Sequence, residues 1–185
     1  LDTNGTAGAI PNFVYYFRYI PYLFLSVLCY VMGNILAAFR RGDLPKRMQA
    51  SAVSMHRQNT ESLLAAATIA IVLWAITIIA SLFFYHDTLI NHGGFIYFLL
   101  NSFMMLLVAL TISYLVGLIT TNSNMLSGIV NVISLGMCFL CGTFVPLEYM
   151  NSGVKTTAQF LPVYWYEKTN DLLAQFGSIT GDVRI

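Results

Sequence analysis

The chain has 185 residues, of which 57% are hydrophobic and only 9% charged, with a formal net charge of +1. Soluble domains carry roughly 25% charged residues, and residues 88–147 contain no Asp, Glu, Lys or Arg at all. The near-zero net charge excludes a global field for nucleic acid or an acidic substrate, and the apolar runs exclude a water-soluble domain of ordinary type.

Four segments are long enough to cross a bilayer core, which takes about 20 apolar residues as a helix. They are residues 19–39, 63–85, 95–119 and 125–145. Helices are required because open strands would leave backbone groups unpaired in lipid. The expected fold is all-α and integral to the membrane. It comprises four transmembrane helices, a cytoplasmic amphipathic helix in the loop 40–61 and an external re-entrant helical pair in 146–185, all in one transmembrane domain. Pro21 is placed in the first turn of the first span, where a missing N–H costs little. Leu1 and the polar start suggest a piece of a longer protein.

The loop after the first span holds Arg40, Arg41, Lys46, Arg47 and Arg57, five of the nine basic residues. The positive-inside rule makes this loop cytoplasmic and places Gly93-Gly94 and everything after Pro146 outside. Aromatic side chains agree. Tyr15, Tyr16, Tyr19, Phe83, Phe84, Tyr97 and Phe144 all fall at the outer ends, where such rings suit the headgroup region. Within the loop, Asp43 caps a short helix over residues 45–56 whose Met48, Ala52 and Met55 share one face. It reads either as a surface offered to a cytoplasmic partner or as a basic interfacial helix drawn to anionic lipid.

The spans carry two stripes of small and polar residues. Cys29, Gly33 and Ala37 lie on the first. Ser127, Asn131, Ser134, Cys138 and Cys141 recur at spacings of four and three on the fourth. Such a stripe reads as a transport path or as a helix-packing seam, and packing is the preferred reading for both. Cys138-x-x-Cys141 has redox spacing but no His, Asp or Glu nearby, and is read as two small apolar residues. No phosphate loop and no metalloprotease or hydrolase motif occurs. In the external tail, helices over 154–162 and 163–176 are expected to break at Pro162, beside the cluster Tyr164-Trp165-Tyr166.

Two stretches carry a family resemblance. The end of the fourth span reads Gly142-x-Phe144-x-Pro146, followed by Phe160-Leu-Pro162-x-Tyr164-Trp165-Tyr166. The basic loop reads Ser51-Ala52-Val53-Ser54, then Arg57-Gln58-Asn59. These resemble the permease subunit of ABC type-2 exporters, with Ala52 replacing the usual Pro of the loop. The resemblance implies six spans in the whole permease, with spans two to five present here and the first and last absent. It implies that Lys46, Arg47, Ser51, Ala52, Val53, Ser54 and Arg57 lie near the helix that meets a separate ABC ATPase subunit. It implies that Gly142, Phe144, Pro146, Pro162 and Trp165 belong to an external gate. It also places Cys29, Gly33, Ala37, Ser127, Asn131, Ser134 and Cys138 near a path or a seam with a second permease copy, identical or not.

No cofactor is expected on this chain; ATP and Mg are expected in the partner. The expected partners are that ATPase, a second permease copy and membrane lipid, with no nucleic acid. The expected setting is the cell membrane, taken as a bacterial plasma membrane. The expected function is outward movement of an amphipathic or apolar substrate without catalysis by this chain. A channel, a secondary carrier or a non-transporting scaffold or immunity protein stand as alternatives.

Overall fold

The computed structural model describes residues 12–40, 55–91, 94–120, 123–145 and 147–182. Among them, six helices run α1 Asn12–Arg40, α2 Met55–Asn91, α3 Phe95–Ile119, α4 Ser123–Leu140, α5 Ser152–Ala158 and α6 Pro162–Asp182, with a 3-10 turn at Leu147–Tyr149. There is no strand among the described residues. Among the described residues, three stretches are long and apolar enough to cross a membrane: Asn12–Ala38, Asn59–His86 and Phe95–Ile119. The all-helical membrane architecture expected from hydropathy is therefore present, with three long spans where four were expected.

The difference lies in α4. It stops at Leu140, and residues 141–145 form turns rather than the last turn of a span. Gly142 adopts φ +95°, and the Thr143 amide donates to the Cys138 carbonyl at 3.1 Å. That is the bond of a Schellman C-cap, with Gly142 supplying the left-handed residue that other side chains resist. At 18 residues, α4 is about 27 Å long at 1.5 Å per residue, just under the bilayer core.

Helix α1 is the hub. It packs on α2, α3, α4 and α6, most extensively on α3. Phe13, Phe17, Phe24, Leu28 and Met32 are buried on its inner side, while Tyr15, Tyr19, Leu23, Val27 and Tyr30 face outward. The separation follows from the helical period, which returns a face every three or four residues. Because α1 starts at Asn12, Pro21 lies well inside it and not in a first turn. The apolar run Phe13–Phe17 continues the helix upstream of the expected start.

The connection between α1 and α2 is also shorter than expected. Arg40 still belongs to α1, and residues 55–61, expected in the loop, form the first turns of α2. There Arg57 Nε donates to Glu61 Oε1 at 2.9 Å, an exposed i,i+4 pair that links successive turns of the helix. Helix α2 kinks at Tyr85 (φ −130°, ψ 25°), where the second span was expected to end. Its Ile69, Ile71, Val72, Ile76, Ile79 and Phe83 face away from the bundle, as a lipid-facing helix requires. Two polar contacts hold its inner face: Tyr16 Oη donates to the Thr77 carbonyl at 2.8 Å, and Trp74 Nε1 to Ser102 Oγ at 3.0 Å.

Candidate functional site

The end of the bundle nearest the basic connection is closed by helix contact. A methyl group on Gly33 of α1 would overlap the buried Leu126 side chain of α4. One on Gly117 of α3 would stand 3.1 Å from the Met32 carbonyl oxygen of α1. Both glycines allow α1 to lie closely against its neighbours, the usual use of small residues between membrane helices. Cys29 and Ala37 are buried on the same side of α1, and Cys29 clusters with Val116, Leu126 and Val130. The first small-residue stripe is thus a packing seam inside the chain.

The stripe on α4 divides. Ser134 and Cys138 are buried, and Ser134 Oγ donates back to the Val130 carbonyl at 2.7 Å. Ser127 and Asn131 are exposed. The buried ridge on α4 is Leu126, Val130, Ser134 and Cys138, an i,i+4 row. Sequence spacing placed all five small residues within one stripe, but the contact with α1 follows the larger Leu126 and Val130. Ser127 and Asn131 consequently lie beside the seam and not in it.

At the opposite end, Phe144 joins α1 to α4. Its ring centroid lies 5.9 Å from Tyr19, 5.5 Å from Tyr22 and 5.2 Å from Phe139. Gly142 is the α4 cap, and a methyl on it would stand 2.8 Å from Leu147 Cγ. Pro162 opens α6, at the first helical position that suits a residue without an N–H. The turn before it is held by Trp165 Nε1, which donates to the Gln159 carbonyl at 3.0 Å. The break thus falls at Pro162 as expected, although α5 begins at Ser152 and ends at Ala158. The Trp165 ring is 56% exposed and carries Lys168 Nζ at 5.5 Å from its centroid. Pro146, Lys46, Arg47, Ser51, Ala52, Val53 and Ser54 lie outside the described residues. Arg57, of the expected ATPase-coupling group, is an exposed residue of the first turns of α2.

A polar cluster that the sequence reading missed sits under α6. Arg18 of α1 bonds Asp171 Oδ1 through Nη2, and its Nε faces Glu167 Oε2 at 3.5 Å. Thr143 Oγ1, just past the α4 cap, lies 2.8 Å from Glu167 Oε1. Tyr166 Oη donates to the Phe17 carbonyl at 2.8 Å. Asn101 of α3 donates through Nδ2 to the Tyr166 carbonyl at 3.1 Å and to Asn170 Oδ1 at 2.9 Å. Glu167 is only 3% exposed, and burial pushes its carboxyl up to about 8, against the downward pull of Thr143 and Arg18. One signal was available in the sequence. Arg18 is the sole charge in residues 3–39, and a lone Arg in an apolar helix calls for a buried partner.

These features define a multi-pass helical membrane protein. Its polar groups join helices, and the described residues hold no group of His, Cys, Asp and Glu that could bind a metal ion. A family model described as ABC-2 family transporter protein matches residues 2–169, and the chain belongs to that family. It is therefore a membrane permease component of an ABC transporter, not itself a catalyst. Searches of curated proteins and of solved structures returned no match.

Proposed function

We propose that this chain is the membrane-spanning permease of an ATP-driven exporter that moves an amphipathic or apolar substrate outward. A separate subunit binds ATP and Mg and hydrolyses the nucleotide. The observation that carries this reading is the family match over residues 2–169 on a chain with three long apolar helices. The basic connection between α1 and α2 supports a cytoplasmic contact with the ATPase through Lys46, Arg47, Ser51, Ala52, Val53, Ser54 and Arg57. Force applied there would tilt α1 and α2, and α1 touches every other helix except α5 closely enough to transmit it. In this reading α4 is the fourth span despite its length, and α5 and α6 re-enter the outer leaflet as a gate built on Gly142, Phe144, Pro146, Pro162 and Trp165. The exposed Ser127 and Asn131 meet a second permease copy or the substrate path. The setting is a bacterial plasma membrane.

The test is reconstitution of the full-length protein with its co-purified ATPase in proteoliposomes. Cysteines at Ser51 or Ser54 should crosslink to the ATPase, and ATP should drive an amphipathic dye or lipid in the outward direction. Absence of both the crosslinks and any ATP-dependent movement across a panel of apolar, lipid and peptide substrates refutes the proposal.

A further inference from the structure

The cluster under α6 holds one cation and two carboxylates. If both carboxylates were ionised, the cluster would carry a net negative charge with Glu167 buried against apolar helices, which is costly. One proton removes it. Asp171 is 45% exposed and keeps the Nη2 bond to Arg18, whereas Glu167 is 3% exposed, so Glu167 is the better holder of that proton. One distance agrees. The 3.5 Å between Arg18 Nε and Glu167 Oε2 exceeds the roughly 2.7–2.9 Å of a charge-assisted bond, and neither atom has another hydrogen-bond partner among the described residues. The Thr143 hydroxyl, 2.8 Å from Oε1, can accept from a neutral acid or donate to a carboxylate. It suits both states.

We propose that Glu167 is a proton-held clasp: while it is neutral, α6 stays packed on α1 and on the end of α4, and its ionisation loosens α6 from both. The helix is positioned for this. Glu167 faces Thr143 beyond the α4 cap and Arg18 of α1, so one carboxyl group of α6 meets both elements, beside the Asp171 and Tyr166 contacts that also join α6 to α1. The titratable and charged groups facing it are Arg18 from α1, Cys138 and Cys141 from the end of α4, and Tyr166 and Asp171 on its own helix. Helix α3 contributes Asn101, which does not titrate. Burial raises the Glu167 carboxyl to about 8, and Asp171 adds to the rise. In a loosened state the group is solvated and returns toward about 4.3. The packed state thus binds the proton more tightly. Packing is fully favoured below the ordinary carboxylate range and is lost as pH rises through about 8. The inference goes beyond the export reading and depends on neither substrate nor direction.

The experiment places a nitroxide on Leu172→Cys, an exposed position of α6, in the full-length protein in lipid nanodiscs. The native Cys29, Cys138 and Cys141 are buried and stay unlabelled. Spectra are recorded from about pH 6 to about pH 9.5, a range that brackets the shifted carboxyl. The label should be immobilised at low pH and gain mobility with a midpoint near 8. In Glu167→Gln, a neutral isostere, it should stay immobilised throughout. In Asp171→Asn, which removes a like charge, the midpoint should move to lower pH. A label equally immobile across the range in the otherwise native protein overturns the clasp, as does a transition that survives in Glu167→Gln. Infrared spectra of the native chain give a second readout that needs no variant. A glutamic-acid carbonyl band, shifted by carbon-13 glutamate, should be present near pH 7 and vanish above about pH 9; its absence at pH 7 also overturns the proposal.

Discussion

Tyr166 Oη donates a 2.8 Å hydrogen bond to the carbonyl of Phe17, and Phe17 stands four residues before Pro21. In a regular helix that carbonyl accepts from the amide of residue 21. Proline has no amide hydrogen, so α1 carries an orphan acceptor at this point. A hydroxyl from α6, 149 residues away in sequence, takes the place of the missing donor. The proline and the tyrosine are therefore one device, and it fixes where α6 sits on α1.

Replacing Tyr166 by Phe leaves the buried Phe17 carbonyl unpaired and should destabilise the folded chain by about 1–3 kcal/mol. Pro21→Ala restores an amide to the same carbonyl. The double variant Pro21→Ala, Tyr166→Phe should accordingly be more stable than Tyr166→Phe alone, with a coupling of about 1 kcal/mol. Thermal unfolding of the four proteins in one detergent measures it. Strictly additive effects would show that the two residues do not share the carbonyl.

Arg18→Leu removes the only cation of the α6 cluster and leaves the half-exposed Asp171 beside the buried Glu167. Breaking a buried pair costs about 3–5 kcal/mol; partial exposure of Asp171 reduces the expected loss to about 2 kcal/mol. The further change Asp171→Asn should recover part of it. The pH dependence has a definite sign. Because burial holds Glu167 up at about 8, the native melting temperature should fall as pH rises through that value, and Glu167→Gln should flatten the fall.

The glycine contacts separate close approach from backbone conformation. Gly117→Ala should cost about 1–3 kcal/mol, because the added methyl meets a backbone carbonyl that cannot swing away. Gly33→Ala should be costly alone and partly rescued by Leu126→Ala, since the three atoms nearest the methyl all belong to that side chain. Gly142→Ala should cost at least about 1 kcal/mol, through both its positive φ and Leu147. No second-site truncation at Leu147 should restore it fully. Melting temperatures of the single and paired variants check each case.

Thiol chemistry can test the divided stripe on α4. Cys138 is fully buried and should resist a small maleimide in the detergent-solubilised single chain. Cysteines placed at Ser127 and Asn131 should react readily there, at rates at least about tenfold higher. If the export reading holds, assembly with a second permease copy should protect one or both. Equal reactivity at positions 127, 131 and 138 would contradict the α1–α4 contact.

Several features needed only local chemistry. Hydropathy marks the long helices because an uninterrupted run of apolar side chains reports its solvent directly. Pro162 marks a helix end because its backbone restriction acts within a residue or two; Gly142 acts as locally, yet the fourth span was expected to run past it to Val145. The family pattern around Phe144 and Trp165 was readable for the same reason, being short and contiguous. What sequence could not assign was the face of each stripe, because small residues at helical spacing describe a surface and not its neighbour. Leu126 filling the space over Gly33 decided that Ser134 and Cys138 are buried and that Ser127 and Asn131 are not.

Composition alone therefore determined that the chain is an all-helical membrane protein with its basic connection on one side, since transfer into lipid depends on each segment by itself. Only the tertiary structure decided that Arg18, Glu167 and Asp171 meet and that Tyr166 completes the α1 helix at Pro21. Those outcomes depend on distances between residues far apart in the chain, and a buried charge takes its character from the partner that folding brings to it.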